Sequence, residues 1–452
     1  MRFMTRVLHC LLLLAFPSFA AERSYWVWHR IEPLTKVESA ELHAQHVTSL
    51  YWHAGTLTER KTGWRWSEGP HALAEVASGF VVVPVVRIES ETHVPFSDTA
   101  ALRTQLARIT IQGSVQLDFD CPDRLLSKYA ATLEDLRASF PKISITALAH
   151  WPKLKDFAVL AHSVSEICPM FYDLQADPTG VTAGRLPPPL LDPEQIEKAT
   201  ADWKSCKTPW RAGLPAFSRL TVFDASGYSR GQISDWNWED VVFHKHLHAL
   251  APTRCGVTLL RADADTRVAS RTLHEGDMLA SRTADPTALA QAMENASLSG
   301  AAGVVFFRLP GRGNLTGFSL PALGSQSAEL KLTFHREGDA LVLKNESAAD
   351  LRPRLSGERN DRDRGYALEL DAPAAVFREA EPGSFWRVTA HTNADTTPRA
   401  ASVGTATRLT FWFSHLSSGA SVRSGIFQLA PAADTSKIRW RIVPLTEWQL
   451  LP

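Results

Sequence analysis

The chain has 452 residues, 44% hydrophobic and 21% charged, with 48 Lys+Arg against 48 Asp+Glu. This gives ample material for a core, excludes wholesale disorder, and leaves no electrostatic footprint of a nucleic-acid partner. The length exceeds one average domain and suits a large barrel with a smaller accessory domain.

At the N-terminus, Arg2 and Arg6 precede an apolar run from Val7 to Phe16 and the small-x-small triplet Ser18-Phe19-Ala20. That is a secretory signal peptide, residues 1–20, with cleavage expected near Ala20. Cys10 lies inside the apolar run rather than at its end, which argues against a lipoprotein. No later stretch is long and apolar enough to span a bilayer, so the mature chain is expected to be periplasmic or extracellular. Cys121, Cys168, Cys206 and Cys255 remain after cleavage. An oxidising compartment permits disulfides, and Cys206 with Cys255 is the expected pair. No CxxC or Cys/His cluster has zinc-ligand spacing, so no metal or other cofactor is expected.

In chain order, strand-like runs fall at Tyr25–Arg30, Val47–Ala54, Phe80–Glu89, Ser114–Asp120, Ile143–His150, Glu166–Asp173, Trp210–Phe217 and Gly303–Leu309. Helix starts separate several of them. Asp98 precedes Leu102, Leu106 and Ile109; Asp123 precedes Leu126, Tyr129, Leu133, Leu136 and Phe140; Asp192-Pro193 and Asp285-Pro286 each place a cap before proline at the first helical position. Eight strands alternating with helices predict a (β/α)8 TIM-type barrel over 22–324. Pro84 and Pro169 fall inside predicted strands, where each removes a ladder donor. An insertion at about 219–283 follows the seventh strand, with a helix expected around Trp238–Leu250 and a hairpin from Gly256 to Arg282. Beyond 325, strand-like runs separated by Gly/Ser/Pro breaks predict a β-sandwich-like accessory domain over 325–452, to pack on the barrel or to bind polymer.

Reactive groups of such a barrel sit at the C-terminal ends of its strands. Along "VQLDFD", alternation puts Gln116, Asp118 and Asp120 on the inner side and Val115, Leu117 and Phe119 on the outer. Two inward aspartates are costly to bury ionised unless they pair, hydrogen-bond or shift their pKa, and close like charges are one route to an acid and a base from one residue type. The bland alternative is a turn-capping Asp120 and an Asp118 satisfied by Arg87. Trp28, Trp52 and Trp151 lie near other strand ends, with His29, Arg30, His53, Arg87, Glu89, His150 and Arg308 close by. Flat aromatics flanked by polar groups suit a sugar ring, and the set is expected to line a carbohydrate cleft. No G-x-S-x-G elbow, P-loop or HExxH is present.

"VQLDFD" resembles the end of the fourth-strand signature D-G-x-D-x-D-x-E of the chitinase-like glycoside hydrolases of family eighteen. "PMFYDL", from Pro169, resembles that family's sixth-strand M-x-Y-D, and "GLPAFSR", from Gly213, its seventh-strand motif. With "SITALAHW", "GDMLASRTADP" and "GAAGVVFFRLPG", the pattern is closer still to a bacterial TIM-barrel family described only as domain of unknown function 3142, over roughly 24–320. The resemblance implies a secreted hydrolase-type barrel with no assigned substrate.

In one register Asp118 matches the carboxylate that orients the substrate's acetamido group, Asp120 the general acid shortened by one methylene, and Gln116 replaces the first inner Asp. In the other, Asp118 and Asp120 match the two orienting aspartates and Pro122 stands at the acid position, leaving a sugar-binding barrel unless Asp123 or Glu89 substitutes. The first keeps an aromatic, Phe119, at the aromatic position, and is preferred. Tyr172 and Asp173 then match the sixth-strand pair that assists catalysis. A conventional carboxylate pair would retain or invert according to a separation near ~5 Å or ~6.5–9.5 Å. The expected function is a secreted glycosidase cleaving or remodelling a polysaccharide or cell-wall glycan. The alternatives are a non-catalytic carbohydrate-binding barrel and a hydrolase or deacetylase using a metal held by Asp118, Asp120 and a histidine such as His150.

Overall fold

The structure is a computed structural model, and it describes residues 22–73, 75–91, 95–250, 253–311, 316–325, 329–355, 364–392 and 399–451. The expected signal peptide lies outside the described residues. No helix among them is long and apolar enough to cross a membrane.

Eight parallel strands close into a barrel: β1 (Glu22–Val27), β2 (Ser49–Arg60), β3 (Val81–Ser90), β4 (Ser114–Asp118), β5 (Lys142–Leu148), β6 (Glu166–Met170), β7 (Arg211–Pro215) and β8 (Gly303–Phe307). Each pairs with its neighbours in sequence, and β1 pairs with both β2 and β8 to complete the ring. Most strands end two or three residues before the apolar runs do, because the chain turns outward at the mouth. His29 and Asp173 adopt positive φ (52° and 53°) just past β1 and β6. Both prolines interrupt a ladder. The β3–β4 pairing begins only at Val85, one residue past Pro84, and β6 meets β7 through Met170–Gly213 and an isolated Ile167–Trp210 bridge, on either side of Pro169.

Helices Lys36–Ala44, Thr99–Leu106, Leu126–Arg137, Phe157–His162, Pro193–Asp202 and Pro286–Leu298 cover the barrel. Thr35 and Glu38 form a capping box, and Asp98, Asp192 and Asp285 cap their helices as predicted. Asp123 does not: its carboxylate meets His150 Nε2 at 2.9 Å, and a 3₁₀ turn leads into the helix. After β2, a hairpin through Gly63–Glu68 replaces the expected helix among the described residues. Gly55, at φ 144°, makes the bulge where β2 bends toward it, and a Cβ there would lie 2.4 Å from the Glu68 carbonyl.

The insertion is an antiparallel five-stranded sheet of Ser218–Phe223, Ser229–Ile233, Leu247–Ala249, Val257–Ala262 and Met278–Thr283, with its own apolar core. The helix expected over Trp238–Leu250 is only Glu239–Val242, because Leu247 to Ala249 are claimed by sheet pairing. Beyond the barrel, antiparallel sheets of three, six and two strands enclose a second core that includes Leu343, Leu368, Phe411, Phe427 and Ile442. The four cysteines among the described residues are free, so the expected Cys206–Cys255 disulfide is not formed. Cys206 Sγ instead donates to the Thr208 carbonyl at 3.4 Å.

The barrel lumen is filled in layers. At its lower end Arg211 pairs with Glu22 and Glu166, each at 2.8 Å, and Tyr51 donates to Glu166. Above them the Trp26 indole crosses the lumen beside Tyr51, Val85, Cys168 and Val305. Its Nε1 donates to Gln116 Oε1 at 2.7 Å. A Cβ on Gly213 would stand 2.8–2.9 Å from this ring and 2.9 Å from the Pro169 carbonyl. Gly213→Ala should therefore cost about 1–3 kcal/mol through overpacking, read as a lowered urea midpoint, and Trp26→Phe in the same chain should restore part of it.

Candidate functional site

A cavity of about 380 Å³ opens at the C-terminal end of the barrel, immediately above Trp26, at the low end of the range for small-molecule sites. Its polar floor follows from strand register. Arg87 on β3 is the direct partner of Asp118 on β4, and both face inward. Their side chains form an ion pair, Nη1 to Oδ2, at 2.8 Å. Thr146 on β5 lies one step past the last paired residues, Leu117 and Ile145, and donates to Asp118 Oδ1 at 2.8 Å. Asp118 is 6% exposed. Burial pushes its carboxyl above the ordinary range; Arg87 and Thr146 oppose that rise, and Asp120 adds to it.

Asp120 lies two residues beyond the end of β4, and its side chain is 54% exposed. Its Oδ2 is 3.5 Å from Arg87 Nη2, and Glu89 Oε1 is 3.8 Å from Arg87 Nε. One guanidinium thus serves three carboxylates. Phe119, between the aspartates, points outward against Phe96 and Tyr129. The predicted alternation therefore holds through Asp120.

The opposite wall is aromatic. Trp28 stacks on His53 at 4.3 Å between ring centroids and meets Phe307 edge-on at 5.8 Å. Tyr172 stacks on Phe307 at 6.0 Å. Burial, then Asp118, Asp173 and Asp120, holds the Tyr172 phenol well above its ordinary pKa, so it remains a hydrogen-bond donor. His53 is 2% exposed, and burial pushes its imidazole down to about 4. His29 is lowered as well, by burial and then by Arg308.

Of the residues singled out from the sequence, Trp28, His29, His53, Arg87, Glu89, Asp118, Asp120 and Tyr172 line this cavity. Trp52 and Trp151 do not. Trp52 points outward from its strand and Trp151 opens a 3₁₀ turn past the end of β5; both are fully buried in the main apolar core. Trp52 Nε1 donates to the Arg30 carbonyl, and Arg30 itself pairs with Glu38. Gln116 lies below the cavity, holding Trp26 and touching Cys168 Sγ at 3.4 Å. Asp173 turns away to Arg219 at 2.5 Å, tying the end of β6 to the insertion. Arg308 is exposed just past β8, outside the lining. His150 is held by Asp123, so the metal trio of Asp118, Asp120 and His150 does not converge, and no group of three or more metal-ligating side chains does so among the described residues.

Thr56, Glu68, Thr146 and Met170 also line the cavity but were not singled out. Thr146 was legible as an inward position of "SITALA". Thr56 and Glu68 depend on the Gly55 bulge and the hairpin: the bulge shifts the alternation, so His53 and Thr56, three apart, face the same space.

No known protein family matches the chain, so the membership suggested by its motifs rests on those motifs alone, and no curated protein matches it. Distant similarities exist among solved structures. The C-terminal domain of a putative chitinase from Desulfitobacterium hafniense DCB-2 aligns at 13% identity over 64% of this chain and 94% of its own, with a TM-score of 0.44. The spore cortex-lytic enzyme SleL of Bacillus megaterium QM B1551 aligns at 11% identity over 67% and 72%, also at 0.44. A chitinase-like agglutinin from Robinia pseudoacacia aligns at 14% over 64% and 94%, at 0.37. Similarities this distant say nothing about chemistry.

His53 makes a pH prediction. Its folded pKa of about 4 lies below the ordinary 6.5, so the unfolded chain takes up a proton across that interval that the folded chain refuses. Its contribution is complete above pH 6.5 and is lost as pH falls toward 4, by up to roughly 3 kcal/mol. Urea denaturation of the wild type and His53→Phe at both ends of this interval should show the variant losing less stability on acidification.

Proposed function

We propose that the chain is a secreted protein that binds a segment of a polysaccharide or cell-wall glycan at the barrel mouth and cleaves it by carboxylate acid–base chemistry. The observation that supports this most directly is Asp118 and Asp120 at the end of one strand, the first buried between Arg87 and Thr146, the second open to a chain lying across the cavity.

In this reading Asp120 donates a proton to the glycosidic oxygen as the bond to the anomeric carbon breaks; water adds to that carbon and its proton returns to the carboxylate. Asp118 lies beneath, where its charge, set by the balance of burial against Arg87, bears on the positive charge developing in the sugar ring. Tyr172 supplies a phenolic donor, and Trp28 and Phe307 supply flat apolar surface for the pyranose. Asp173, bonded to Arg219, acts only by positioning Tyr172.

As an acid Asp120 has to carry a proton, whereas its contact with Arg87 is an ion pair only when it carries none. Substrate hydroxyls that engage Arg87 would release it. That same contact favours the second reading, binding without cleavage, in which it stays closed.

Reducing-end release from a panel of β-linked polysaccharides, including chitin and peptidoglycan, separates the two. Hydrolysis should fall by about 10²–10⁴-fold in Asp120→Asn and in Asp118→Asn, with glycan binding retained. Full activity in Asp120→Asn removes it as the acid, and wild-type binding without release favours the lectin reading. Expression of the full chain followed by N-terminal sequencing of the exported fraction should find cleavage near Ala20.

A further inference from the structure

Among the described residues that line the cavity, carboxylates outnumber guanidinium groups. Asp118, Asp120, Glu68 and Glu89 line it against one guanidinium, Arg87. Arg87 is already shared by three of them, at 2.8, 3.5 and 3.8 Å. The neighbours of Glu68 are imidazoles and a hydroxyl rather than a lysine or arginine: His71 Nε2 at 3.8 Å, His53 Nδ1 at 4.0 Å and Thr56 Oγ1 at 3.4 Å. Burial keeps the His53 ring from taking up a compensating proton near neutral pH. Arg308 stands outside the lining, and its charge acts on His29 rather than pairing with any of these carboxylates.

A second observation is independent of charge. His53, on the cavity wall under Trp28, has a buried Nε2 with no hydrogen-bond partner. A polar atom left in that state is costly until something supplies the missing bond. The site therefore combines four lining carboxylates with one lining guanidinium, an unmet polar nitrogen and a flat aromatic wall, and a neutral sugar meets only the last two.

We propose that the cavity selects a glycan unit bearing a free, protonated amine, that is, a de-N-acetylated amino sugar or a polymer containing one, over its acetylated counterpart and over acidic sugars. This rests on the glycan reading above and goes beyond it in naming the substrate's charge. An ammonium brings one positive charge and three donors to a rim where Glu68, Glu89 and Asp120 supply acceptors. A uronate or phosphorylated sugar would place like charge against the same rim.

The test is calorimetric titration of the mature chain at about pH 6, where the His53 imidazole is neutral, with β-1,4-linked glucosamine oligomers of one length. One is fully acetylated and one fully de-N-acetylated; an oligouronate serves as the acidic control. The amine oligomer should bind at least about 10-fold more tightly than the acetylated one at low salt, and the ratio should shrink as salt rises. The oligouronate should not bind. In Glu68→Gln and Glu89→Gln the ratio should fall toward one. Equal or tighter binding of the acetylated oligomer, or a ratio that neither salt nor these substitutions change, overturns this proposal and leaves the glycan reading standing. Failure of every neutral and charged glycan in both panels overturns the glycan reading and this one with it.

Discussion

The indole of Trp26 lies across the barrel lumen, and its placement decides what can exist above it. A closed eight-stranded parallel barrel has to fill its interior with side chains, layer by layer. Here the middle layer is one large ring admitted by the absent side chain of Gly213 and held by Gln116. Below it the charged groups are paired off, with Arg211 between Glu22 and Glu166. Above it the lumen widens into a polar chamber. Gln116 and Gly213, read as parts of motifs, are structural in this sense: they seat the floor on which Asp118 stands.

On that floor the dominant constraint is one guanidinium facing three carboxylates. Arg87 and Asp118 are cross-strand partners facing the same way, so their pairing is set by the β3–β4 register rather than by side-chain search. Asp118 is satisfied on both oxygens, by Arg87 and by Thr146. Asp120 and Glu89, farther from the guanidinium and nearer solvent, are held less firmly. Burial therefore grades two aspartates at the end of one strand into a fixed group and an available one.

Much of this was legible from local pattern. The strand count, the capped helix starts, the outward Phe119 and the inward Asp118 and Asp120 all follow from periods of two and of 3.6 residues, because those periods are properties of the backbone itself. Nearness to a strand end misplaces Trp52 and Trp151: Trp52 takes the outward step of its strand, and Trp151 leaves the strand altogether in a 3₁₀ turn, so both are buried in the main apolar core. Glu68 and Thr56 were missed because a bulge at Gly55 resets the alternation, and a single glycine in a strand does not announce which way the chain will bend.

The amino-acid sequence by itself determined the (β/α)8 class, the strand that carries the aspartates and the direction in which they point. All of these depend on hydrogen-bonding geometry and hydrophobic alternation within a few neighbouring residues. The sequence offered Arg87 as a partner for Asp118; tertiary structure alone decided that Asp120 would share that guanidinium, that Trp28 would stack on His53, and that Glu68 would come in from a hairpin to face them. Those are meetings between segments tens of residues apart, and they are fixed by ring closure, strand register and the volume left above Trp26, none of which is a local property of the chain.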